Sequence, residues 1–262
     1  MKLLKLFIVI IIFITNLYYL SGCLFDIKIK KNKNILILGT SPDYPPYESI
    51  NNYGKIVGLD IDLAIAISKQ INNKLLIKHM SFDSLIIALK QNKIDMIISG
   101  FSSTASRRKK IKLIPYQTEK IKEYVLIFWK KLSPYIKNYN DIKNNKHDIF
   151  CVQSGTAMSE FLHDFPGIKI KTLDSTTDLL LDIMYNKSKA ALVEKNVAVK
   201  LKKNQPQLKL LKLSLPNKYW SVGCGIGLKK TNYKLTHKII KTITRLKKLG
   251  FLNKIEKKWF EK

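Results

Sequence analysis

Arginine is scarce in this chain: of 47 basic residues only Arg107, Arg108 and Arg245 are arginines, and the rest are lysines. Acids are few as well, 19 in 262 residues, which leaves a net charge of +28 at pH 7. Three cysteines, at positions 23, 151 and 224, are too few for a disulfide scaffold. The four histidines, at 79, 147, 163 and 237, share no metal-ligand spacing with one another or with the cysteines. No metal or cofactor is therefore expected, and His163 and His237 read as exposed helix residues rather than catalytic bases. Long apolar runs are also missing. One stretch, residues 6–19, is nearly continuous, but a membrane span needs about 20 apolar residues.

That stretch follows Lys2 and Lys5 and ends in Leu20-Ser-Gly-Cys23. Small residues before a cysteine form a lipobox, in which the Cys23 thiol accepts a diacylglycerol after the leader is cut away. Residues 1–22 read as a lipoprotein signal peptide and residues 23–33 as the lipidated cysteine and its tether. The protein is expected to be exported, lipid-anchored, and periplasmic or cell-envelope in location. Cys151 and Cys224 lie in apolar stretches and read as two buried thiols. Loss of Lys2 and Lys5 lowers +28 to +26. Lysine is spread from end to end without a basic face, and arginine is rare, so nucleic acid is not an expected partner. Attraction to an anionic lipid surface is a secondary consequence of the charge.

Where arginine is rare, its positions are informative. Arg107 and Arg108 directly follow the small polar run Ser99-Gly-Phe-Ser-Ser-Thr104. A guanidinium is a planar fork that grips a carboxylate with two parallel hydrogen bonds, which an ammonium cannot copy. Behind a loop of hydroxyls and free N–H groups it reads as half of an anion clamp.

The flanking pattern is α/β. An apolar strand at 35–40 runs into the Pro-rich turn Ser41-Pro-Asp-Tyr-Pro-Pro-Tyr47, and Gly58-Leu-Asp-Ile-Asp-Leu63 opens a helix with Leu63, Ala66, Ile67 and Ile71 inward. Asp60 and Asp62 suit its positive end. Strands follow at 75–80 and 95–99, with a helix at 82–91 between them. A second set follows: strands at 148–152, 169–173 and 190–193, with helices at 158–164, 178–185 and 197–203. A return strand at 223–227 and a long amphipathic helix at 233–249 complete it. The alternation predicts parallel sheets with ligands at the carboxyl ends of the strands. The chain should cross between two lobes near 125–129 and 220–223, giving a hinge.

The ordered set Gly39-Thr40, Tyr44-Pro-Pro-Tyr47, Gly58-Leu-Asp-Ile-Asp-Leu63, Phe82-Asp-Ser-Leu85, Lys93-Ile-Asp95, Ser102-Ser-Thr104 with Arg107, Pro115-Tyr116 and Gln153-Ser-Gly-Thr156 resembles the polar amino-acid binding proteins of ABC importers. Phe165-Pro-Gly167, Asp174-Ser-Thr176, Ala191-Leu-Val-Glu194 and Trp220-Ser-Val-Gly-Cys-Gly-Ile-Gly227 resemble the arginine-binding members of obligate intracellular bacteria. The resemblance implies a type II periplasmic binding protein: two Rossmann-like lobes, 34–125 with 223–262 and 126–222, joined by a two-strand hinge with the ligand cleft between them.

It also implies roles. Arg107 falls at the α-carboxylate clamp, aided by Ser99, Gly100, Ser102, Thr104, Gly155 and Thr156. Glu194 falls where the family usually has an aspartate for the α-ammonium, with an acid at a helix start, stabilised by the dipole of the helix that follows, as its structural alternative. Tyr44, Tyr47 and Phe82 fall at the aromatic positions around the ligand side chain. Relatives that bind cationic amino acids often carry an acid where this chain has Ser41, and Asp43, Glu48 and Glu119 are the candidate replacements. The expected function is capture of an L-amino acid, arginine foremost, by a monomeric receptor that delivers it to an ABC permease. Glutamate or glutamine are the alternative ligands, and a prephenate- or arogenate-dehydratase-like enzyme, with Glu194 as general acid, is the alternative class.

Overall fold

The computed structural model describes residues 34–261, so the expected leader, Cys23 and the tether lie outside the described residues. Two sheets carry the fold. In the first, the strands Lys74–His79, Ile35–Thr40 and Met96–Ile97 lie side by side, followed by the long strand Ser221–Leu228. Along its length that strand also pairs with Lys112–Pro115, Ser102–Ser103 and Lys120–Ile121. The second sheet runs Lys169–Leu173, Ile149–Gln153, Ala190–Val193, Glu123–Trp129, Leu208–Ser214. A three-stranded meander, Asp43–Tyr44, Glu48–Ile50 and Ile56–Val57, projects from the turn after the first strand.

The expected parallel pairings occur between Ile35–Thr40 and Met96–Ile97, and between Ile149–Gln153 and both of its neighbours. Each sheet also takes antiparallel strands, so both are mixed. The reason is topological: a chain that leaves one sheet and later returns enters against the βαβ direction. The stretch expected to cross, 125–129, is instead an inner strand of the second sheet, with Val125, Leu126, Ile127 and Phe128 all buried. The passage lies just before it, where Ile121 still pairs with Ser221 in the first sheet and Glu123 already pairs with Ser214 in the second.

Helix faces follow the apolar spacing. In Leu59–Gln70, Leu63 and Ile67 are buried and Ala66 and Ile71 pack at the edge. Leu85, Ala88 and Leu89 of the next helix point inward, as do Ile239, Ile243 and Leu246 of Tyr233–Lys248, which Asn232 caps. A last helix, Phe251–Phe260, begins after Gly250 and buries Leu252 and Ile255. Cys151 and Cys224 are free thiols, both buried, and burial pushes the Cys151 thiol up to about 12.

Candidate functional site

The cleft is built where loops from the two sheets meet. The run after Met96–Ile97 turns at Gly100, whose φ of +51° suits glycine and whose Cβ position would lie 2.9 Å from the Tyr44 ring. Asp60 holds this turn: its carboxylate accepts from the Gly100 N–H at 2.6 Å and from the Tyr116 hydroxyl at 2.5 Å. The acid that suits a helix start in sequence is thus a fully buried loop anchor in the fold.

Thr104 caps the helix Ala105–Lys110, its hydroxyl accepting from the Arg107 N–H at 3.2 Å. This first turn aims Arg107 into the cleft. The residue is 3% exposed, with its Cζ 4.0 Å from the Phe101 ring centre and 5.1 Å from that of Phe82. Nη1 donates to the Ser102 carbonyl at 2.9 Å and Nη2 to the Gly155 carbonyl at 3.0 Å. Arg107 therefore ties the first sheet to the loop after Ile149–Gln153. Burial pulls its pKa below the ordinary value, yet a guanidinium remains the cation.

Glu194 follows Ala190–Val193 and stands at the start of the helix Lys195–Asn204, but its side chain makes no capping bond. Instead, Oε1 accepts from Ser102 Oγ of the first sheet at 2.8 Å. Burial pushes its carboxyl up to about 7, against the lowering effects of the Ser102 hydrogen bond and the Arg107 charge. One buried cation and one buried acid therefore reach a common space from the two lobes.

That space is a small, nearly filled pocket of about 10 Å³ lined by Tyr44, Phe82, Gly100, Ser102, Arg107, Gln153, Thr156, Ala157, Met158 and Glu194. A wider groove of about 860 Å³ lies along Gln117–Glu123 and the last helix; it too is lined by Glu194, but it mixes lysines with acids and contains no arginine. The smaller pocket is where buried Arg107 and buried Glu194 converge. Seven of the eleven residues expected from sequence line it; the remaining four stand elsewhere. Tyr47 faces the wider groove, stacked on Tyr44 at 6.0 Å, with its hydroxyl 3.3 Å from Asn196 Nδ2. Ser99 is buried behind the loop, donating to Glu48 Oε1 at 2.9 Å. Thr104 is the cap, and Gly155 contributes its backbone to Arg107. Gln153, Ala157 and Met158 were not expected, although Gln153 stood in the quoted motif.

The three acids considered as replacements at Ser41 are all engaged or distant. Asp43 is bound to the second lobe through Thr176 and Gln153. Glu48 is fully buried, its carboxyl pushed well above its ordinary value by burial and then by neighbouring Asp60, and Ser99 donates to it. Glu119 lines the wider groove.

The lobes meet closely at Gly155, whose φ is +70° and whose Cβ position would fall 2.9 Å from both Cα and Cβ of Asp83. Gly155→Ala is expected to leave the ligand-free protein folded but to weaken ligand binding at least about tenfold, because backbone contact would stop the cleft short of closure. Titration calorimetry beside a thermal melt checks this; unchanged affinity would mean that the two loops are apart in the bound form.

The bacterial extracellular solute-binding proteins, family 3, match over residues 36–262. The chain is 36% identical over 242 residues to a probable ABC transporter arginine-binding protein, ArtJ, of Chlamydia trachomatis, covering 92% of this chain and 91% of that protein. It is 30% identical over 225 residues to ABC transporter arginine-binding protein 1 of Escherichia coli, covering 85% and 89%. Among solved structures, a mutant of ArgBP from T. maritima superposes with a TM-score of 0.80 at 29% identity, covering 88% of this chain and 97% of that one. An ancestral arginine-binding protein bound to arginine gives 0.78 at 29% identity, covering 87% and 99%.

Proposed function

We propose, since the chain belongs to the family 3 bacterial extracellular solute-binding proteins, that it is the receptor that captures L-arginine outside the cytoplasm and hands it to an ABC permease. The observation that carries this reading is the pairing of buried Arg107 and buried Glu194 in the lining of one pocket between the sheets. That is the charge pattern of a zwitterion: Arg107 for the α-carboxylate and Glu194, joined by Ser102, for the α-ammonium. The remaining wall supports a planar cation. Tyr44 and Phe82 offer rings over which a guanidinium gains about 0.5 to 2 kcal/mol. The curated relatives named above are both named for arginine.

Closure draws on contacts to both lobes at once, so the ligand's own binding energy drives it. The units that close are two lobes whose boundaries, expected at 125/126 and 222/223, are taken instead at Lys122 and just before Ser221. The apolar leader and the lipobox at Cys23 support an exported, lipid-anchored receptor.

The test is calorimetric titration of the purified protein, stripped of ligand by unfolding and refolding, against the twenty amino acids and ornithine. Submicromolar binding of arginine, on the order of 8 kcal/mol or more, is the expected result. Preference for glutamate or glutamine would keep the receptor and discard arginine. Silence across the panel, with release of phenylpyruvate from prephenate, would replace the receptor by an enzyme.

A further inference from the structure

Asp43 belongs to the first lobe by sequence but spends its carboxylate on the second. Oδ2 accepts from the Thr176 backbone N–H at 2.6 Å and from Gln153 Nε2 at 3.0 Å, and Thr176 Oγ1 lies 3.1 Å away. Thr176 Oγ1 also donates to the Asp43 carbonyl oxygen. Ser41 Oγ steadies the other side, donating to Oδ1 at 2.9 Å. Thr176 opens the helix Thr176–Met184, so its N–H is one of the donors that a helix leaves free at its positive end. These bonds cross the cleft mouth between residues 110 and 133 positions apart. In this structure they join the two lobes across the cleft.

The Gln153 contact has a second consequence. Gln153 is 2% exposed and lines the ligand cavity. Its amide nitrogen donates to Asp43 Oδ2 and, also at 3.0 Å, to the Asp174 carbonyl. Two acceptors on one side identify that atom as the nitrogen and use both of its hydrogens. Oε1 is then the polar atom left for the cavity. A neutral carbonyl oxygen there accepts from a guanidinium or ammonium and has nothing to offer a side chain that ends in a bare acceptor. We propose that Asp43 is a positioning residue with two linked tasks: it latches the closed cleft, and it turns the Gln153 amide so that Oε1 meets the cationic end of the ligand. This is how the site accepts a cation although Ser41 stands where relatives often carry an acid. The second task rests on the arginine reading; the latch does not.

Stopped-flow kinetics of Asp43→Asn and Asp43→Ala with L-arginine and with its neutral isostere L-citrulline test both tasks. A latch that forms after encounter acts on escape. For arginine, koff should rise about tenfold or more while kon stays within about threefold of wild type. The melting temperature of the ligand-free variants should not fall, which separates a latch from a folding role. In Asp43→Asn the Gln153 amide keeps only the Asp174 carbonyl as a fixed acceptor and is held less firmly, so the preference for arginine over citrulline should shrink by about threefold or more. Unchanged koff in both variants overturns the latch, and equal losses for arginine and citrulline overturn the orientation of Gln153. If the wild type binds a different amino acid, the arginine reading fails by itself, and koff for that ligand still decides the latch.

Discussion

Arg107→Lys is expected to weaken amino-acid binding by about 3 kcal/mol, more than a hundredfold in Kd, with the fold retained. The guanidinium rests against the neighbouring rings of Phe82 and Phe101 and spans from the Ser102 carbonyl in one lobe to the Gly155 carbonyl in the other. An ammonium has neither the plane nor the reach to keep both carbonyls and still face a ligand carboxylate. The charge itself is also at risk. Burial already lowers the pKa of Arg107, which remains charged because it starts so high. Lysine starts near 10.4, and the same desolvation pushes it toward its neutral form. Calorimetry on the refolded variant, with circular dichroism as the control for folding, measures the loss. Affinity close to wild type would move the carboxylate clamp away from Arg107.

Glu194→Gln is expected to cost about 2 to 4 kcal/mol for free amino acids and far less for analogues without the α-amino group. Equal losses for both would remove Glu194 from the ammonium site. The same variant should change the pH dependence. Burial raises Glu194 to about 7, so below that pH the ligand-free protein carries a proton that an incoming ammonium must displace. Wild-type affinity should therefore fall as pH drops below 7, by at most about tenfold per unit, and the glutamine variant should lose this dependence.

The stability of the ligand-free protein moves the other way. With the folded pKa above the unfolded one, the favourable contribution of Glu194 is complete below the unfolded value and is lost as pH rises through about 7. At pH 8 the glutamine variant should be the more stable protein, by up to about 3 kcal/mol, while at pH 4 the difference should vanish. Melting temperatures of the two proteins across that range give the measurement. A site that binds by holding a desolvated acid is less stable when empty, and the ligand restores what burial took.

Much of this site was legible in one dimension. Arg107 stood out because arginine is rare in the chain, and Glu194 because an acid directly follows a fully apolar strand. The helix faces around Leu63, Leu85 and Ile239 follow from apolar spacing, a local property of the chain. Other elements carried a signal that was passed over. Phe251, Leu252, Ile255 and Trp259 recur at helical spacing after Gly250, and the leucines of Leu208–Ser214 belong to a paired edge strand.

The sequence by itself determined the α/β order, the helix faces, and the rare arginine and the acid after an apolar strand. Each of these depends on spacing within a short segment or on residue chemistry. Only the tertiary structure decided where the chain passes between the sheets, that Ser99 and Thr104 serve the loop and the helix cap, and that Asp60 anchors Gly100. It alone brought Asp43 to Thr176 and Gln153, and Gly155 against Asp83. Those contacts join distant residues across a cleft, and their geometry is set by how the two lobes close rather than by any local pattern.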